Sequence, residues 1–228
     1  IISSDNPVPS LKAIKNDVEI ENMRKAHILD GIALVKFMRY IKSQRDNYTT
    51  EISASDKLLE FRKENRLFNS NSFETISAYG DNAAIIHYAP TVETCKKLEA
   101  KGALLVDSGG QYDGGTTDVT RMFILGETSE KFKRDYTLVC KAMLKLQNMH
   151  FPLGTKSAVL DGIVRESLWR YGIDFRHGTG HGIGYILNVH EGPQGIRWKY
   201  VDGLKEAVLE EGMAMSNEPG VYIEGSHG

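Results

Sequence analysis

The sequence predicts an α+β protein, a curved and mainly antiparallel sheet with helices on its outer face. Three observations carry this reading. Long segments place apolar residues at helical spacing, short apolar runs of strand length end on polar residues, and the helical segments are segregated from the strand clusters along the chain.

The elements follow in order. After Pro7 and Pro9, Asn16 and Glu19 have the form of a capping box, and Ala26, Leu29, Ala33, Phe37 and Tyr40 then recur at helical spacing, with Ile28, Ile32 and Val35 widening the stripe. A second helix is expected from about Ser55 to Arg66. "AAIIHY" (83–88) and "ALLVD" (103–107) read as strands. Between Thr128 and His150, Phe132, Tyr136, Val139, Met143 and Leu146 mark a further helix, and core packing accounts for that stripe without any function. Another helix is expected over Ser157 to Tyr171, stopping at Gly172, which suits the left-handed position after a helix end. Strands return in the segment 177–193 and in "MAMSNEPGVYI" (213–223).

Composition removes several function classes. The 228 residues carry 28 basic and 30 acidic side chains for a net charge of -2, and 41% are hydrophobic, as in an ordinary globular protein. The short basic clusters at Lys96–Lys97 and Lys131 to Arg134 read as solvated helix faces, so no nucleic-acid partner is expected. Cys95 and Cys140 have no metal-ligand spacing and make no disulfide framework, which fits a reducing compartment. No apolar run approaches the ~18 residues of a membrane span, and the opening "IISSDNPVPS" is unlike a signal peptide. A cytoplasmic protein with no membrane partner is therefore expected.

Chemistry concentrates in "HGTGHGIGYILNVHEGP" (177–193). The glycines at 178, 180, 182 and 184 would each cost roughly 1 kcal/mol in a helix interior, so His177 and His181 belong on extended or looping backbone. In an extended chain both imidazoles share one face and can enter one pocket; polar loop histidines are the plainer alternative. In "VDSGGQYDGGTTDVTR" (106–121), Asp107 ends one apolar strand and Asp118 starts the next, across a glycine-rich reversal that lets the carboxylates converge. Taken singly, both also read as turn-flanking acids, and Glu218 in "SNEPG" as a surface acid. Together, Asp107, Asp118, His181 and Glu218 make an oxygen-rich donor set suited to harder divalent ions such as manganese, with room for two metals sharing a carboxylate.

The ordered segments "SAYGDNAAIIHY", "VDSGGQYDGGTTDVTR", "HGTGHGIGYILNVHEGP" and "SNEPG" resemble the catalytic domain of the pita-bread metallopeptidases, most closely the large-form Xaa-Pro aminopeptidases, from about Pro7 to Gly228. The resemblance implies a pita-bread fold and release of the N-terminal residue from peptides with proline second. It implies two divalent ions, manganese foremost with zinc or cobalt as alternatives. Asp107 would chelate one metal, Asp118 would bridge both, and His181 and Glu218 would bind the second. His87, His177 and His190 match the family's three non-ligand histidines, which contact substrate and serve catalysis. A homodimeric parent protein is also implied.

The same resemblance sets its own limits. The family's fifth ligand, a bridging glutamate, falls just beyond the segment matching "EGSHG", and Glu224 is not in its position. Residues 1–228 are thus expected to be one catalytic domain truncated at both ends, and inactive in isolation. A prolidase or creatinase-type hydrolase on the same fold is the nearest alternative. A non-catalytic peptide-binding module is the other, against which the four retained ligands argue.

Overall fold

A computed structural model describes residues 6–43, 49–199 and 207–228. A short helix, α1 (Val8–Ala13), precedes the long helix α2 (Asp17–Ser43). The Asn16 side chain accepts the Glu19 amide at 3.0 Å while the Glu19 carboxylate accepts the Asn16 amide at 2.9 Å, so the capping box starts α2 where the sequence places it. Helix α2 buries Met23, Ala26, Ala33, Leu34, Phe37 and Ile41, whereas Ile28, Ile32 and Val35 are 64%, 50% and 60% exposed. The expected widening of the stripe is thus corrected: those three side chains lie on the opposite side of the helix, beyond the arc that one packing face can bury.

Helix α3 (Glu51–Lys63) begins earlier than expected. Thr50 and Ser53 cap it reciprocally, each side-chain oxygen taking the other's amide at 3.2 and 2.8 Å, a box closed by serine instead of an acid or amide. Both helices pack on the sheet β2 (Ile76–Tyr79), β3 (Ala103–Ser108) and β6 (Val119–Ile124), in the order β2-β3-β6 and antiparallel throughout. Phe37, Leu58, Leu104, Val106 and Phe123 fill the core between them, with Phe37 and Phe123 edge to face at 5.2 Å. A buried ion pair ties helices to strands. Arg62 on α3 holds Asp30 on α2 at 2.7 Å and donates to Ser108 at 2.9 Å, and the Tyr112 hydroxyl donates to Asp30 at 2.9 Å. A second antiparallel sheet joins β1 (Phe68–Asn71), β4 (Gly110–Tyr112) and β5 (Gly115–Thr116), the last two forming the glycine-rich reversal as a hairpin.

The strand expected over 83–88 is absent. Gly80–Ala84 form a 3-10 turn, and the amide of Tyr88 closes a further turn onto the Ile85 carbonyl at 3.2 Å. The chain leaves the sheet after Tyr79 at Gly80, whose φ is +63°, and the Tyr79 amide is taken by the Glu51 carboxylate at 2.6 Å.

Helix α4 (Glu130–Gln147) starts at Ser129, whose hydroxyl accepts the Phe132 amide at 3.1 Å, and α5 (Ser157–Trp169) lies against it. Phe132, Asp135, Leu138 and Ala142 form the buried line of α4, and Tyr136, expected in the stripe, is 51% exposed. Asp135 takes the inward position because His227, Lys131 and Arg134 all bond its carboxylate. Gly172 adopts φ +68° after α5, as the sequence implied, and the Ile173 amide returns to the Leu168 carbonyl at 3.2 Å. Leu138, Leu168, Phe175 and Val221 make a second core.

Regular strand in the histidine segment is limited to β7 (Gly180–His181), paired with β8 (Gly195–Ile196). The strand expected over 213–223 is reduced to backbone bonds from 214–218 to 179–183, and beyond Glu218 the Pro219 nitrogen has no hydrogen to continue the ladder. Among the described residues no helix is long and apolar enough to cross a membrane.

Candidate metal and catalytic site

Two antiparallel ladders build the site in the same way. Asp107 on β3 faces Thr120 on β6, and Asp118, two residues before Thr120, projects to the same side of the ladder. The Thr120 hydroxyl donates to Asp107 Oδ1 at 2.7 Å. In the second ladder Gly182 pairs with Met215, so His181 faces Ser216, and Glu218 stands two residues further on the same side. The Ser216 amide donates to the His181 carbonyl at 2.8 Å, and the Ser216 hydroxyl donates to Glu218 Oε1 at 2.6 Å. Each ladder thus supplies two diagonal donors and one hydroxyl that orients a carboxylate. Glycine is required where the backbones meet: a Cβ on Gly109 would lie 1.9 Å from the Thr117 carbonyl oxygen, and one on Gly180 would lie 2.1 Å from that of Ser216.

The ladders converge at His181. Its Nε2 lies 3.2 Å from Asp118 Oδ2 and 3.1 Å from Glu218 Oε1, and one donor atom from each of the three residues lies within 4.8 Å of the others. Nδ1 meets the Gly182 carbonyl at 3.0 Å, so Nε2 is the nitrogen presented to the carboxylates. Burial opposes charge on His181, but the hydrogen bonds to Asp118 and Glu218 outweigh it and lift the imidazole to about 10. Burial likewise pushes Glu218 up, and the bonds from His181 and Ser216 bring it below the ordinary range. Asp107 is pushed up to about 6, first by burial and then by the Asp118 and Glu218 carboxylates, against the Thr120 bond. Asp107 therefore shares the field of the other three although it stands outside their cluster. Three carboxylates gathered round one imidazole, one of them raised and the imidazole kept protonated, are a donor set with an excess of negative charge. Divalent cations fit it.

The other three histidines singled out in the sequence are placed as follows. The His190 ring stands 4.1 Å from that of His181 at 72°, and burial, then the His181 charge, lowers its affinity for a proton, with His87 acting in the same direction. His177 bonds through Nδ1 to the Gly178 carbonyl and through Nε2 to the Tyr222 hydroxyl, both at 2.7 Å. His87 is exposed on its turn with φ +56°.

Three residues escape sequence reasoning. Tyr222 completes the His177 contact, and burial, then Glu218 and Asp107, raise its phenol. The only sequence signal is its place four residues after Glu218. Arg165 and Asp161, both on α5 and fully buried, clamp the backbone that carries His177: Arg165 donates to the His177 carbonyl at 2.6 Å and to Asp161 at 2.6 Å, and Asp161 accepts the Thr179 hydroxyl at 2.7 Å.

Residues 21–228 match the sequence pattern of Metallopeptidase family M24. A protein described as "Probable Xaa-Pro aminopeptidase P" from Arthroderma otae is 46% identical over 98% of this chain and 36% of its own length. "Aminopeptidase P2" from Arabidopsis thaliana is 43% identical over 100% of the chain and 32% of its own length. The chain thus spans about a third of the length of these curated relatives. Among solved structures, the X-prolyl aminopeptidase from Caenorhabditis elegans, described as a cytosolic enzyme with a di-nuclear active site, superposes with a TM-score of 0.90 at 38% identity, covering 97% of this chain and 36% of that one. The prolidase from Pyrococcus furiosus gives 0.82 at 29% identity, over 96% of this chain and 61% of that one. The α+β architecture expected from sequence is the fold of these enzymes.

Proposed function

The chain belongs to metallopeptidase family M24, and on that footing we propose that residues 1–228 are the catalytic domain of an aminopeptidase that releases the N-terminal residue from peptides with proline in second position. The observation that carries this reading is His181 Nε2 between the carboxylates of Asp118 and Glu218, with Asp107 raised beside them. Asp118, His181 and Glu218 would hold one divalent ion, with Asp107 and Asp118 serving a second. Manganese suits the carboxylate-rich set, with zinc and cobalt as alternatives. Such ions lower the pKa of a coordinated water and polarise the scissile carbonyl.

The protein's own groups do the rest. His190, whose affinity for a proton is lowered by burial, can accept a proton or hydrogen-bond the carbonyl oxygen as it gains charge. His177, fixed between Gly178 and Tyr222, contributes a hydroxyl-linked imidazole to the same cleft. His87 enters from the turn after β2 as a substrate contact. A bond to proline offers no amide hydrogen, and recognition through the carbonyl oxygen does not require one. Aminopeptidase specificity is favoured over prolidase because the relatives that are 46% and 43% identical are described as aminopeptidases, whereas the prolidase is 29% identical. The near-neutral charge argues against a nucleic-acid partner. A cytoplasmic homodimer without membrane attachment is the accompanying proposal, supported for location by the cytosolic relative.

The test is release of the first residue from Xaa-Pro-Yaa peptides by the full-length, manganese-loaded protein, followed by mass spectrometry. Cleavage confined to Xaa-Pro dipeptides would make it a prolidase, and equal cleavage of Xaa-Ala-Yaa would remove the proline specificity.

A further inference from the structure

Glu51, the first residue of α3, is completely buried and lies far in sequence from every group assigned to the cleft. Its carboxylate is satisfied by neutral donors from one segment. Oε1 accepts the Tyr79 amide at 2.6 Å and the Asn82 side chain at 2.9 Å; Oε2 accepts the Tyr88 hydroxyl and the Lys96 amide, both at 2.9 Å, and Asn82 again at 3.1 Å. The Glu51 amide reciprocates to the Lys96 carbonyl at 3.0 Å. The Lys96 ammonium turns instead to Asp81. A carboxylate at the start of a helix is favoured by the helix dipole, which suits a buried acid with no cationic partner among the described residues.

These donors bracket His87. Tyr79 and Asn82 precede it, Tyr88 is its neighbour, and Lys96 follows it, so one carboxylate closes both sides of the turn that presents the imidazole. The backbone of His87 is left-handed, a conformation that a non-glycine residue keeps only where its surroundings over-determine it. The Tyr88 hydroxyl, gripped by Glu51 and by Asn82 at 2.8 Å, supplies that constraint one residue away.

We propose that Glu51 is a positioning residue: by clamping the segment 79–96 it fixes where the His87 imidazole stands in the cleft beside His190. The proposal rests on the reading of His87 as a substrate contact given above. A merely structural Glu51 would lower stability without regard to His87, whereas a positioning Glu51 acts through it.

The experiment uses the full-length, metal-loaded protein and a double-mutant cycle of Glu51→Gln with His87→Ala, together with imidazole NMR of the zinc-loaded protein. Glu51→Gln is expected to lower kcat on an Xaa-Pro peptide about 10-fold with metal content unchanged, and to cost less than about 2-fold in the His87→Ala background, since coupled residues are not additive. The His87 ring signals should move in Glu51→Gln. Equal losses in both backgrounds, or unmoved His87 signals, would overturn the proposal. If Glu51→Gln does not fold, Tyr88→Phe, which removes one donor, takes its place in both measurements, and the same results support or overturn the proposal. Should the wild-type protein leave Xaa-Pro peptides intact, the functional reading fails, and the His87 signals alone decide the role of Glu51.

Discussion

Asp118 Oδ2 lies 3.2 Å from Nε2 of His181, and this contact joins the two ladders that otherwise supply their donors separately. Because the partners come from separate ladders, loss of either should unlink the site without unfolding a helix. Asp118→Asn and His181→Asn are each expected to weaken divalent-ion binding about 100-fold or more and to abolish peptidase activity, with thermal stability in the absence of metal reduced near neutral pH and converging on the wild type towards pH 10. Calorimetric titration with manganese checks this, and unaltered affinity in either variant would remove that residue from the metal site.

The His190 ring stands against that of His181 but outside the cluster of Asp118, His181 and Glu218, and it is proposed to act on the substrate. His190→Ala should reduce turnover by about 10²-fold or more, the range for a lost acid–base group or oxyanion donor. Metal content should stay near wild type. Metal loss in this variant would reassign His190 as a ligand.

Tyr222→Phe removes the hydroxyl at Nε2 of His177 and nothing else in that contact. Turnover is expected to fall about 10-fold, and the His177 ring nitrogen shifts should change while those of His227 remain. Unchanged kinetics would leave Tyr222 a packing residue.

The pH dependence of the metal-free protein has a defined sign. His181 is raised from 6.5 to about 10, so its contribution to stability is complete below about 6.5 and is lost as pH rises through 10. Asp107, raised from 3.8 to about 6, loses stability in the same direction over the lower window between those two values. Thermal unfolding without metal should therefore drop progressively from pH 7 to 10, and His181→Asn should flatten the slope in that range.

Asp161→Ala leaves the buried Arg165 with only the half-exposed Asp174, at 2.9 Å, as a carboxylate partner. A fully broken buried pair costs about 3–5 kcal/mol, so with Asp174 still in place denaturant unfolding should reveal a loss below that range. Asp161→Ala combined with Asp174→Ala should cost more than the single change, since only then does Arg165 lose both carboxylate partners.

What the sequence disclosed was local. The Asn16–Glu19 box, the Gly172 stop and the strand through Asp107 depend on residues close in the chain, and each formed as expected. The stretch 83–88 has the composition of a strand, but its fate is decided by Glu51, more than thirty residues away, which takes the Tyr79 amide and the Asn82 and Tyr88 side chains. Burial of Asp135 on α4 likewise depends on His227 from the far end of the chain. The four proposed ligands were legible as an ordered set of residue types. That they meet as two diagonal pairs depends on strand register, which no local spacing encodes.

The diagonal pairs also restrict how the gene can change. Successive side chains on a strand alternate between faces, so deleting one codon within β3 or β6 would turn either Asp107 or Asp118 away from the cleft, and the same holds between Thr179 and His181 or between Ser216 and Glu218. Length variation between Asp107 and Asp118 is tolerable only at the Asp113–Gly114 tip of the β4–β5 hairpin, where the chain reverses without setting the register of β3 against β6. Descendants of this sequence should therefore accumulate insertions at that tip while the flanking ladders keep a fixed length.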